Sequence, residues 1–171
     1  MTASLRAFRP DELEVVWEAR RRRASPTAPV TPGTRRALER QIERSGRLHD
    51  GFLRLAIDVE GRLVGEVDAR CPANAVPPGV FELGIEVYED EDRGRGYGAA
   101  AVRQILERLF EREGAGRVQA STAVDNMAMR RVLEKVGFAY EGTLRAFMPT
   151  AEGRADYAMY GLTRTDWEGA G

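Results

Sequence analysis

The chain has 171 residues, with 26 basic and 27 acidic side chains, a formal charge of −1 and one cysteine, Cys71. That length fits a single domain able to bury roughly two-thirds of the surface its unfolded chain would expose, and the balanced charge supplies no global field for nucleic acid or an anionic membrane. A lone cysteine excludes an intrachain disulfide and a multi-thiolate metal site, and Met1 to Pro10 has no apolar leader, so the expectation is a soluble cytoplasmic protein without nucleic-acid or membrane partners.

Leu5 to Phe8 reads as a short strand. Pro10, Asp11 and Glu12 then open a helix, because a proline and two acids suit its first turn. Leu13, Val16 and Trp17 share its apolar face, and Arg20 to Arg23 fall at its end, where cations meet the negative pole of the dipole. Proline-rich Ser25 to Gly33 is a loop and a candidate substrate lid, after which Thr34 is expected to cap a second helix reaching about Ser45.

Phe52 to Val59 alternates as a strand, Glu60-Gly61 makes a hairpin turn, and Leu63 to Ala69 returns antiparallel. A loop from Cys71 to Gly79 follows. Val80 to Tyr88 is the next strand, with Phe81, Leu83, Ile85 and Val87 on one face and Glu82, Gly84, Glu86 and Tyr88 on the other. Two carboxylates therefore share a strand face.

Beyond the glycine-rich stretch, Ala101, Ile105, Leu106, Leu109 and Phe110 form the buried stripe of a helix ending at Gly114. Arg117 to Val124 reads as a strand and Asn126 to Val136 as a helix stopped by Gly137. Phe138 to Phe147 and Asp156 to Leu162 close the chain as strands, and Glu168 to Gly171 is a frayed tail after a single domain over residues 1–167. The order predicts an α+β or mixed α/β fold with a largely antiparallel sheet.

Between the fourth strand and the following helix lies "EDRGRGYGAA", where Gly94, Gly96 and Gly98 alternate with Arg95 and Tyr97 after Arg93. Glycine weakens a helix start, so this turn needs another reason. A strand feeding a helix through such a turn bares backbone N–H groups at the positive end of the dipole, and lets the main chain approach a phosphate closely. Ala99 and Ala100 stand where a nucleotide-binding P-loop needs lysine and a hydroxyl residue, and the glycine spacing does not fit a dinucleotide fingerprint.

The pattern Arg93, Gly96, Gly98 resembles the pyrophosphate loop of the GCN5-related N-acetyltransferases, and "NMAMRRVLEKVGF" from Asn126 resembles the asparagine helix of their RimJ/RimL-like branch. "YEGTLRAF" and "EGRADYAMYGLTRTDW" resemble that branch's closing strands, so the likeness is dense from about Leu83 to Trp167. It implies a central sheet of about seven strands with a splayed middle pair and about four flanking helices, and acetyl transfer from acetyl-CoA to a primary amine without a metal. The acceptor is then a protein N-terminus or a small cationic amine.

By that resemblance Ile85 and Val87 face the pantetheine arm through their backbone, Arg93, Gly94, Arg95, Gly96, Tyr97, Gly98 and Ala99 hold the pyrophosphate, Asn126 bonds the pantetheine, and Arg131 reaches a phosphate unless it is only a solvated helix residue. Glu82 is the candidate base, acting through water, with Glu86 raising one carboxyl by like-charge repulsion or binding a cationic substrate. Asp156 and Glu141 are alternative bases, and Trp17 is a candidate acceptor contact. His49, in a turn, reads as a solvated side chain.

One departure from the pattern is Met129, where the family often places a serine that protonates the thiolate, since a thioether donates no proton. Tyr97, Tyr140 or Tyr157 could replace it. Otherwise the thiolate leaves unprotonated, or the domain is a non-catalytic acyl-CoA sensor. A homodimer through an exposed closing strand is a further expectation.

Overall fold

In the computed structural model, described over residues 2–24, 30–71 and 77–169, one seven-stranded sheet runs in the order β1-β2-β3-β4-β5-β7-β6. The strands are β1 (Ser4–Arg6), β2 (Phe52–Val59), β3 (Arg62–Arg70), β4 (Val80–Val87), β5 (Arg117–Ala123), β6 (Ala139–Thr150) and β7 (Gly153–Thr163). The helices are α1 (Leu13–Arg22), α2 (Pro32–Glu43), α3 (Tyr97–Glu111), α4 (Met127–Lys135) and α5 (Arg164–Gly169), and short 3-10 turns occupy Pro10–Glu12 and Asp90–Asp92. Every neighbouring strand pair is antiparallel except β4 and β5, which the crossover through α3 makes parallel.

The period-2 pattern of β4 sorts two helical layers onto the sheet. Phe81 and Leu83 join Leu53, Leu55, Val67 and Ala69 against Val102, Ile105, Leu106, Leu109 and Phe110 of α3 and Leu133 of α4. The opposite face is polar along β3 and β4, and α1 and α2 cover it by packing Val16, Ala19, Leu38 and Ile42 around Ala56 and Tyr88.

Three sequence expectations change. Helix α2 starts at Pro32, two residues before Thr34, because Thr31 is the cap: its hydroxyl accepts from the Thr34 amide at 3.2 Å and Pro32 occupies a first-turn position that needs no N–H donor. The end of the chain forms α5 through Gly169, where Asp166 accepts from the Thr163 amide at 2.9 Å and Trp167 stacks on Phe110 at 5.5 Å, so Glu168 belongs to a helix. Arg20 to Arg23 form more than helix-end charge: Arg22 pairs with Glu89 at 2.6 Å and Arg23 with Glu86 at 3.2 Å, tying α1 to the end of β4. The proposed lid lies partly outside the described residues, at 25–29, as do 72–76 of the next loop and 170–171 of the tail.

Candidate active site

Strands β4 and β5 pair only at Val80–Glu82 with Arg117–Gln119 and then part. Beyond that point β4 keeps β3 as its partner as far as Val87, and β5 keeps β7 as far as Ala123, so each strand has one edge unpaired within the sheet. Parallel strands joined by a helix normally stay paired. Here the gap opens a cavity of about 440 Å³ that crosses the sheet, lined on the α3 and α4 side by Leu83, Ile85, Thr122, Asn126 and Met129, and on the other by Arg70, Glu82, Gly84, Ser121, Tyr157 and Met159.

At the wide end of the gap the glycine turn leads into α3. Gly94 and Gly96 adopt φ of +73° and +85°, a region that costs a side-chain-bearing residue about 1–2 kcal/mol, and a Cβ at either would meet nothing within 4 Å. Their glycines are required by the turn, and the space beside them is open. Gly98 has no such requirement, since a Cβ there would only touch Ile85 Cδ1 at 3.6 Å. Among the described residues no side chain caps α3, so its first-turn amides face outward with the dipole behind them.

Ion pairs hold this turn in place. Arg62 makes a bidentate bridge to the buried Asp92, 2.7 Å on each arm, and keeps that carboxyl below the usual range. Arg93 pairs with Asp90 and donates to the Val87 carbonyl at 3.3 Å, and Arg95 donates to the Glu91 carbonyl at 2.7 Å. The outward amides, open space and two arginines fit a diphosphate, and the unpaired edges of β4 and β5 fit an extended amide-bearing chain.

The asparagine ahead of α4 has two local duties. Its Oδ1 accepts from the Met129 amide at 3.2 Å, capping α4, and its Nδ2 donates to Thr122 Oγ1 at 3.0 Å. Asn126 lines the cavity, and its Nδ2 carries a second N–H beyond the one given to Thr122. Met129 also lines the cavity, whereas Arg131 lies exposed on α4.

On the acceptor side, Glu82 lines the cavity and accepts from Gln119 Nε2 at 3.4 Å. Glu86 is largely buried; burial pushes its carboxyl above the usual range, Arg23 opposes this, and the neighbouring acid that adds to the rise is Glu66, not Glu82. The expected repulsion therefore runs across β3 and β4, where Glu66 is directly opposite Glu86.

The other candidates have structural occupations. Asp156 accepts from the Ala146 amide at 2.6 Å, fixing a bulge in β6 where Ala146 has φ of +49°. Glu141 is held by Arg117 in a two-armed bridge that keeps its carboxyl low. Tyr97 is buried beside Ala3 and Ala101, and Tyr140 hydrogen-bonds Thr143 at 2.7 Å, which leaves Tyr157 as the cavity tyrosine among the three. The cavity also holds hydroxyls that the sequence reading did not select, Ser121 and Thr122, identifiable only from their place on β5 at the gap.

Trp17 packs against the buried cluster that includes Phe8, Val16, Leu38 and Tyr88, under the Arg35 guanidinium 5.4 Å from its ring, outside the set of cavity-lining residues. His49 pairs with Asp50 at 2.8 Å in an exposed turn beside a separate depression of about 260 Å³.

A strand pair opened beside a glycine turn at a helix start leaves room for a phosphate-bearing chain to lie across the sheet. Residues 3–139 match the acetyltransferase (GNAT) domain model, and the chain belongs to the GNAT acetyltransferase family. It is similar to the "Putative ribosomal N-acetyltransferase YdaF" of Bacillus subtilis (strain 168), 34% identical over 88 residues, 52% of this chain and 48% of that protein, so the match spans about half of that relative's length. The SPbeta prophage-derived uncharacterized N-acetyltransferase YokL of the same organism is 26% identical over 132 residues, 77% of this chain and 70% of that one.

Solved structures share the fold. Mycobacterium smegmatis RimJ in complex with CoA-disulfide superposes with a TM-score of 0.74 at 20% identity, covering 98% of this chain and 88% of that one. Spermidine N-acetyltransferase from Vibrio cholerae, described as dodecameric, superposes at 0.78 and 17% identity, covering 97% and 96%.

Proposed function

We propose that this chain is an acetyl-CoA-dependent N-acetyltransferase of the RimJ/RimL-like branch, acting in the cytoplasm on a primary amine. The observation that carries the reading is the conjunction of the bared α3 amides with a cavity that crosses the sheet at the β4–β5 gap. Gly94 to Ala99 would hold the diphosphate with Arg93 and Arg95, and Arg131 would reach a further phosphate. Ile85, Val87 and Asn126 would bond the pantetheine arm. When bound, acetyl-CoA supplies the thioester that the amine attacks.

A protonated amine is no nucleophile, so a base must take its proton. Glu82 is the cavity carboxylate and takes that role through water, while Glu86 draws a cationic acceptor towards the α1 and α2 side. Tyr157, Ser121 and Thr122 are the hydroxyls positioned to protonate a departing thiolate. The acceptor is a protein N-terminus or a small cationic amine, in keeping with the name of a similar protein, "Putative ribosomal N-acetyltransferase YdaF", for the first class and with the single cavity carboxylate, Glu82, for the second. A homodimer through the outer edge of β6 completes the reading.

A second reading has one observation in its favour: Met129 lines the cavity where a proton donor is expected, as in an acyl-CoA sensor without turnover. Calorimetry with acetyl-CoA, together with CoA release across a panel of peptide and small-molecule amines, separates the two. The enzyme binds acetyl-CoA and releases CoA with at least one amine class. Tight binding without turnover on any amine would establish the sensor, and no binding would remove both readings.

A further inference from the structure

We propose that the depression between the end of α2 and the start of β2 is a second binding site, which takes a small doubly charged oxyanion such as a phosphate group or a short dicarboxylate. It shares no lining residue with the reaction cavity and does not depend on the acetyltransferase reading. Its volume of about 260 Å³ falls just under the range of about 300–1,000 Å³ usual for drug-sized ligands, so the occupant is small.

Three arginines line the depression against one acid, Asp50. Arg40 and Arg44, four residues apart at the end of α2, stand on one face of the helix. Among the described residues Arg40 makes no ion pair or hydrogen bond, and Arg44 has only the exposed Asp50, 3.7 Å away. Asp50 is already met by His49 at 2.8 Å. By themselves two such cations would be helix-end charge, set against the negative pole of the dipole. The third arginine comes from another element and has no such explanation.

Arg54 lies on β2, and only 2% of its side chain is exposed. Its Nε and Nη2 donate to Glu66, and its Nη1 donates to Gln41 Oε1 at 2.6 Å. A guanidinium carries five N–H groups, so two of them have no partner among the described residues. Gln41 Oε1 also accepts from Arg20 at 3.3 Å, so one amide oxygen faces two guanidiniums while the Gln41 Nε2 donors stay free. Burial, and after it the charge of Arg54, pushes the Arg20 guanidinium below its usual range, with Glu66 opposing.

Positive charge is thus crowded beside the depression, and its lining holds more donors than acceptors. Donors left unpaired in a buried setting are costly, and an oxyanion supplies both the acceptors and the countercharge. Guanidinium forks match the oxygen pairs of phosphate and carboxylate alike, which sets the class of ligand.

The test is an amide NMR titration of the isotope-labelled full chain with inorganic phosphate and, separately, with succinate, the ionic strength being held constant with potassium chloride. Saturable shifts of the Arg40, Arg44 and Phe52 amides are expected. The double variant Arg40→Gln/Arg44→Gln should weaken that binding about tenfold or more, whereas Arg95→Gln at the glycine turn leaves it unchanged. Arg40 and Arg44 are both exposed, so the double variant keeps the fold. Tighter binding of phosphate assigns the site to a phosphate group and tighter binding of succinate to a dicarboxylate, and either result supports it. Shifts confined to residues 94–99 put the anion at the glycine turn alone and overturn the second site. Shifts that never saturate, or binding that the double variant leaves intact, also overturn it.

Discussion

Among the single residues of the site, Glu82 combines a carboxylate, an unpaired strand edge beside it and direct access to the cavity. Its contact with Gln119 at 3.4 Å is too long to hold it strongly, so it remains free to bind water or substrate. Glu82→Gln preserves shape and removes the proposed base. Its kcat is expected to fall about 10²- to 10⁴-fold, with acetyl-CoA affinity unchanged by calorimetry, and an unaltered kcat at saturating amine would assign the proton to another group. Asn126 illustrates the opposite case, in which a residue expected to touch the cofactor also builds the helix that carries it.

The element that separates folding from binding is the glycine turn with α3. Gly96 is required by its φ of +85°, whereas Gly98 sits in helical backbone with room for a methyl group. The two positions should therefore respond differently. Gly96→Ala is expected to lose about 1 kcal/mol or more of stability in urea unfolding and to weaken acetyl-CoA binding. Gly98→Ala should keep or gain about 1 kcal/mol, since alanine favours helix, yet weaken acetyl-CoA binding by placing a methyl where the diphosphate approaches. If both variants bind acetyl-CoA as wild type does, the turn is a purely structural junction.

For the molecule as a whole, the sheet order leaves β6 at one edge, a strand of 12 residues with mostly exposed side chains. Phe147 is 45% exposed there and belongs to the same bulged segment as the cavity residue Met148, so this edge adjoins the site. Pairing of two β6 edges about a two-fold axis would satisfy the free backbone groups and fix that segment. Sedimentation velocity is expected to show a species of twice the chain mass, and a monomer at every concentration would exclude the pairing.

The order of strands and helices, the glycine turn and the cavity face of Glu82 were legible in the sequence because each depends on local physics: a period of two in Val80–Val87, a period of 3.6 in Tyr97–Glu111, and the conformational freedom of Gly94 and Gly96. Thr31 was missed as a cap because Thr34 hydrogen-bonds back to it and both residues suit the position, and α5 because its anchor is Phe110, far away in sequence. What only the tertiary structure decided was which polar groups meet: Asp156 with a bulge, Glu141 with Arg117, Glu86 with Glu66, and Arg54 with Gln41. Such pairings depend on register between strands, and register is set by the whole sheet closing on its core, not by any one segment.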